Sequence, residues 1–262
     1  MYKMNKFHFH LSDSEGWRLE IPGLDELTGV GARRCHDLLE GRCIMSQLGS
    51  GPFDTSTSGT GYYSTEDYRE ILRHATQRHI QVIPEFDFPR HSHAAIISMI
   101  ARHDRMVTQR GKEREAKNFL LCDLKDKSQY STPQGFPDDV INPCINSTYD
   151  FLEYLLSTLL HLHGDIQPLT FFHFGGDEVP DGVWVESPEC HKMTHAFEGS
   201  IHFTKQVLME HFIRNLIHIT QKYGLDIGAW GDAFTSKDGA VINRDALSNK
   251  GCSRIFWGSK RR

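Results

Sequence analysis

The sequence predicts an α/β fold built on a parallel sheet, and three observations support it. Short apolar stretches alternate with longer stretches of helical period along the chain. The residues suited to chemistry fall just after the apolar stretches, where a parallel barrel presents its working groups. No Gly-rich phosphate turn follows the first strand, which continues instead into Ser12-Asp-Ser-Glu-Gly-Trp17, so a doubly wound nucleotide-binding sheet is disfavoured. The expected architecture is a (β/α)8 TIM barrel, truncated, with about strands 2 to 6 present and residues 1–262 forming one partial barrel domain.

The elements follow in order. Lys6 to Ser12 alternates apolar residues with His8 and His10, the period-2 pattern of a strand. A Gly/Ser/Thr-rich loop runs on to Tyr63, and Ser64 then caps a helix expected over Thr65 to Arg78, with Asp67 in a capping-box position. Ile80 to Phe86 reads as a strand ending at Asp87-Phe-Pro89, and His91 to Arg102 as a helix. A long polar excursion covers Asp104 to Pro143. A strong helix from Asn146 or Ser147 to about Leu162 is closed by Gly164. Strand Leu169 to Phe174, a helix from about Ile201 to Tyr223, strand Leu225 to Trp230 and a last strand opening at Arg254 to Trp257 complete the chain.

Bulk properties exclude several functions. A net charge of −5 leaves no basic footprint for nucleic acid. The best apolar run, Phe151 to Leu162, is too short and too often interrupted to span a bilayer. The start, Met1-Tyr-Lys-Met-Asn-Lys6, has no secretory h-region, and it reads as cut from something longer. Cys35, Cys43, Cys122, Cys144, Cys190 and Cys252 lack the paired spacing of a zinc site. Cys35 and Cys43 are placed to close a short disulfide, while six buried thiols remain the alternative. Asn146-Ser-Thr148 matches a glycosylation sequon. A secreted or lysosomal, extracytoplasmic location is the expectation.

The chemistry centres on His173-Phe-Gly-Gly-Asp-Glu178. An apolar strand runs into two glycines and delivers adjacent carboxylates, which diverge once the strand has ended and so take different roles. Asp13, Asp87, His91, Trp230, Asp232 and Trp257 also follow strands and would converge on the same face. One acid pair, a His with a carboxylate partner, and strand-end tryptophans suit glycoside cleavage. His8 and His10 share one strand face and raise the alternative of a metal-dependent barrel hydrolase. The sequence shows no further ligands for them, so no metal and no cofactor is expected. His161, His163 and His173 read as structural.

Four stretches resemble glycoside hydrolase family 20, the β-N-acetylhexosaminidases, and most its chitobiase branch. They are Lys3 to Asp13 with Gly16 to Ile21, Pro84 to His91, His173 to Val179, and Trp184 with Ser187 to Cys190. The resemblance implies hydrolysis of terminal β-linked N-acetylglucosamine or N-acetylgalactosamine from chitobiose, chitooligosaccharides or glycoconjugates. It implies retention, with the substrate's acetamido oxygen as nucleophile and an oxazolinium intermediate. Glu178 would be the general acid/base, Asp177 would hold the acetamido N–H, and Asp13 with His91 would support the acid. Trp230 and Trp257 would line the acetamido pocket. Ser14 stands where the family often has a second Asp, and Arg90 where it has a small residue. The family's first strand would lie upstream of Met1, and its last two strands beyond Arg262. A carbohydrate-binding or inactive fragment is therefore the other expectation.

Overall fold

A computed structural model describes residues 3–47, 49–109, 111–196, 204–235 and 253–254. Strand β1 (Lys6–His10) leads into the short β2 (Ser12–Asp13) and β3 (Gly16–Trp17), helix α1 (Glu26–Gly29), and the two-residue strands β4 (Arg34–Cys35) and β5 (Ile44–Met45). Helix α2 (Thr65–Thr76), strand β6 (Gln81–Glu85) and helices α3 (His93–Val107), α4 (Glu113–Ala116) and α5 (Asn146–His163) follow. The chain continues through β7 (Phe171–His173), α6 (Pro188–Ala196), α7 (Lys205–Lys222), β8 (Asp226–Ala229), a single 3-10 turn (Gly231–Phe234) and β9 (Ser253–Arg254).

Local chemistry explains the helix limits. The Asp67 backbone N–H donates to Ser64 Oγ while the Ser64 N–H donates to Asp67 Oδ2, the reciprocal capping box expected for α2. Thr204 caps α7 in the same sense, accepting from the Val207 N–H. Helix α3 begins at His93, two residues later than the sequence suggests, because His91 holds a left-handed φ of 60° that a helix cannot include. Helix α6 was hidden in what reads as loop, although Ser187-Pro188 is a recognisable start, with Pro tolerated in the first turn.

The main sheet is fully parallel, in the order β1-β6-β7-β8-β9. Each strand pairs with the next along the chain, so the order never reverses as it does in a doubly wound sheet. Among the described residues the sheet is open and does not close on itself.

One face of the sheet is apolar. Phe9 packs on Tyr68 of α2, and the α5 residues Phe151, Leu155 and Leu159 join Phe172, Phe174 and the α7 residues Phe212 and Leu216 in one buried cluster. Burying each such side chain contributes about 1.5–3 kcal/mol. The opposite face is polar, because alternation along β1 turns His8 and His10 away from the helices, toward Glu85.

Two disulfides brace the loops. Cys35–Cys43 closes the loop between β4 and β5, as the spacing allowed, and Cys144–Cys190 ties the start of α5 to α6. Cys122 is a free thiol, and burial pushes its pKa up to about 12. Cys252 lies outside the described residues. The excursion from Asp104 to Pro143 is less detached than its polarity suggests, since it buries Leu121, Asp139, Ile141 and Asn142. No described helix is long and apolar enough to cross a membrane.

Candidate active site

Strand β7 ends at His173, and the next four residues set the site. Gly175 and Gly176 have φ of 70° and 88°, a region that costs a side chain strain. Space forbids one as well: a Cβ on Gly175 would lie 2.2 Å from Asp87 Oδ1, and one on Gly176 2.6 Å from the Ala233 Cβ. The turn sends the adjacent carboxylates into different surroundings. Glu178 is 48% exposed at its side chain and sits at a left-handed φ of 54°, a strained geometry that gathers at functional sites. Asp177 is half-buried, and its Oδ1 is buried with no hydrogen-bond partner. Burial raises the Asp177 pKa above the ordinary carboxylate value.

A line of groups reaches Glu178 from two other strand ends. His91 Nδ1 is 3.1 Å from Asp13 Oδ1, and His91 Nε2 is 3.7 Å from Glu178 Oε2. Burial works to lower the His91 pKa, but the hydrogen bond to Asp13 together with the charges of Asp13 and Asp177 outweighs it and leaves the imidazole more basic than usual. Burial likewise opposes charge on Asp13, and hydrogen bonds from His10 and His91 overcome it and hold the carboxyl well below its ordinary range. The structure thus places Asp13, His91, Asp177 and Glu178 close together.

Asp87 adjoins them, its Oδ1 buried without a partner. Burial and the nearby charge of Glu85 raise its pKa well above normal.

Trp230 follows β8, its backbone N–H donating to the Gly175 carbonyl at 2.8 Å. Its ring stacks on His8 at 5.5 Å and meets His173 edge-on at 4.8 Å, between centroids. Trp257 lies outside the described residues.

The sequence missed four participants. Glu85 gathers His8, His10 and His173 around one carboxylate on the polar face. Burial opposes its charge, yet the three imidazoles hold its pKa far below normal. Burial also opposes charge on His10, and the carboxylates of Asp13, Glu85 and Asp87 lift its pKa to about 11. The His8–His10 pair therefore does find an acidic third member, and the buried His173 belongs to the same network. His8, Glu85 and His173 bring donor atoms within 4.8 Å, as do Asp87, His91 and Asp177, so both sets have the residue types of a metal centre. His163 is structural as expected, joined to the Tyr68 hydroxyl at 2.9 Å and to the Gln167 carbonyl.

Arg90, Asp139 and Gln134 are the other three. Arg90 is fully buried and donates to Glu178 Oε2 at 2.5 Å, to Asp139 Oδ2 at 3.3 Å and to Gln134 Oε1. A fully buried Arg needs carboxylate partners, and Asp139 and Glu178 supply them.

The arrangement offers an exposed carboxyl able to exchange a proton, an imidazole–carboxylate pair behind it, and a desolvated carboxylate oxygen free to accept a hydrogen bond.

Comparison with known proteins agrees with this chemistry. The profile of Glycosyl hydrolase family 20, catalytic domain, matches residues 1–260. A beta-hexosaminidase from Vibrio vulnificus is 44% identical over 98% of this chain and 30% of its own length. The N,N'-diacetylchitobiase of Vibrio harveyi is 40% identical over 98% of this chain and 32% of its own. The crystal structure of the GH20 exo beta-N-acetylglucosaminidase from Vibrio harveyi, in complex with N-acetylglucosamine, superposes with a TM-score of 0.76 at 30% identity. That match covers 98% of this chain and 34% of the solved one. The chain thus spans about a third of the length of the relatives it matches, and by these similarities it belongs to glycosyl hydrolase family 20.

Proposed function

We propose that the protein of which this chain forms the catalytic region is a retaining β-N-acetylhexosaminidase. Its substrates would carry terminal non-reducing β-linked N-acetylglucosamine or N-acetylgalactosamine, as in chitobiose, chitooligosaccharides and glycoconjugates. One observation carries the proposal: adjacent acids, one exposed beside an imidazole and one desolvated with an unpaired oxygen, stand at the end of a parallel strand.

Glu178 donates its proton to the glycosidic oxygen as the C1–O bond breaks. The acetamido carbonyl oxygen of the same sugar attacks C1 and forms an oxazolinium ion. Asp177 Oδ1 accepts the acetamido N–H and faces the positive charge that develops there. Burial makes the Asp177 carboxylate costly in the free site, so a cation beside it is stabilised more than it would be in water. Glu178, now ionised, takes a proton from water, whose oxygen attacks C1 as the bond from C1 to the acetamido oxygen breaks, regenerating the amide and the β-anomer. His91, backed by Asp13, supports the charge on Glu178 as it cycles. Trp230, just after β8, lines the acetamido pocket.

The five parallel strands are an arc of an eight-stranded barrel. In support, the parallel strands lie side by side in chain order without a reversal, as barrel strands do. The two disulfides support a secreted or lysosomal setting.

The test is a series of aryl glycosides, given to the full-length enzyme, whose acetamido methyl carries zero to three fluorines. Fluorine withdraws electron density from the carbonyl oxygen, so the rate should fall steeply with each one. A rate indifferent to fluorination would refute an internal nucleophile.

A further inference from the structure

Ser14 and Arg90, the two single-residue departures from the family pattern, meet on one carboxylate. Ser14 Oγ donates to Asp139 Oδ2 at 3.2 Å, and Arg90 Nε donates to the same oxygen at 3.3 Å. Ser14 follows Asp13, and Arg90 precedes His91. A second buried link therefore runs alongside the Asp13–His91 pair. Both links converge on one atom, Glu178 Oε2, with Arg90 Nη1 at 2.5 Å and His91 Nε2 at 3.7 Å.

We propose that Arg90 is a positioning residue for Glu178: anchored on Asp139, it grips Oε2, leaves Oε1 for the glycosidic oxygen, and balances the charge left as the proton departs. This rests on the reading of Glu178 as the acid. The Arg90 and Asp139 side chains are both 0% exposed, so the guanidinium is closed to substrate and acts through Glu178 and through His91, whose Nε2 lies 3.2 Å from Nη1. Asp139 balances the buried charge while Gln134 Oε1 occupies Nη2, and Nη1 faces both Glu178 Oε2 and, at 3.2 Å, His91 Nε2. A guanidinium reaches two carboxylates from one fixed plane, and an ammonium does not.

The experiment measures kcat/KM of the full-length enzyme across aryl β-N-acetylglucosaminides, from dinitrophenyl, which leaves unaided, to unsubstituted phenyl. Wild type is compared with Glu178→Gln and with the double variant Arg90→Gln/Asp139→Asn, which removes both buried charges together. The double variant should lose about tenfold or more on the phenyl glycoside and little on the dinitrophenyl one, a fraction of the 10²–10⁴ that general acid catalysis supplies. Arg90→Lys, which keeps the charge against Asp139 but lacks the second arm, should show the same tilt and serves if the double variant does not fold. An equal loss on every substrate, or none, overturns the role of Arg90. If Glu178→Gln itself shows no tilt, the assignment of the acid fails instead.

Discussion

Asp13 and His91 lie 78 residues apart in sequence, yet Asp13 Oδ1 accepts from His91 Nδ1 at 3.1 Å. The contact fixes which nitrogen of His91 carries a proton and turns Nε2 toward Glu178. The paired charges are most favourable in the window between the depressed pKa of Asp13 and the raised pKa of His91. Stability from Asp13 is lost as pH falls through its lowered pKa, and stability from His91 is lost as pH rises through its raised one. Asp13→Asn should lower kcat by about 10–100-fold with KM nearly unchanged, within the range of general acid–base effects, and should lower the His91 pKa in an NMR titration. An unmoved His91 titration would show that the pair is not coupled.

The glycine turn should tolerate nothing larger. Gly175→Ala places a Cβ 2.2 Å from Asp87 Oδ1 at a φ of 70°. Backbone strain alone costs about 1–3 kcal/mol, and moving Asp87 disturbs the neighbour of Asp177. Thermal unfolding should show a Tm lower by several degrees, with activity reduced further than stability. A variant with native Tm and rate would mean that the turn has room that the geometry denies.

Away from the acids, His93 clamps the disulfide-closed loop onto α3. It contacts Glu40 Oε2 and Asp138 Oδ1, each at 2.9 Å. Burial works to lower its pKa, but these two carboxylates raise it to about 9. The stabilisation is complete below the ordinary value of 6.5 and disappears as pH rises through 9. Wild type should therefore lose more Tm than His93→Gln between about pH 6 and pH 10. Parallel Tm curves for the two proteins would contradict the clamp.

The Cys144–Cys190 bridge closes a loop over a separation of 46 residues. Chain-entropy arguments give such a closure about 2–4 kcal/mol. Replacing both cysteines with Ala should lower the urea midpoint accordingly. A double variant as stable as wild type would remove this bridge from the account of the fold.

How far the sequence reached can be seen residue by residue. Strands β6, β7 and β8 were legible as short apolar stretches bounded by polar residues or glycine, and helices α2, α5 and α7 by their helical apolar period. The turn at Gly175-Gly176 and its acids were legible because the chemistry sits in consecutive residues. Arg90, Asp139 and Ser14 come from three separate segments, and only the folded sheet brings them together. Asp139 was also hidden inside a stretch that lacks any period, where polarity suggested exposure although the residue is buried. Cysteine spacing allowed Cys35–Cys43, but no rule of sequence chooses Cys190 as the partner of Cys144.

The proposed division of labour has Glu178 move the proton while Asp177 manages the substrate's own nucleophile. The decisive comparison is between full-length Glu178→Gln and Asp177→Asn variants on one aryl β-N-acetylglucosaminide with a leaving group that departs unaided. Glu178→Gln should still form and release the activated sugar at a substantial fraction of the wild-type rate in the first turnover. Asp177→Asn should lose about 10²-fold or more in that same step, the scale expected when a preorganised charge facing the transition state is removed. Equal losses in the two variants, or the reverse order, would contradict the division of roles.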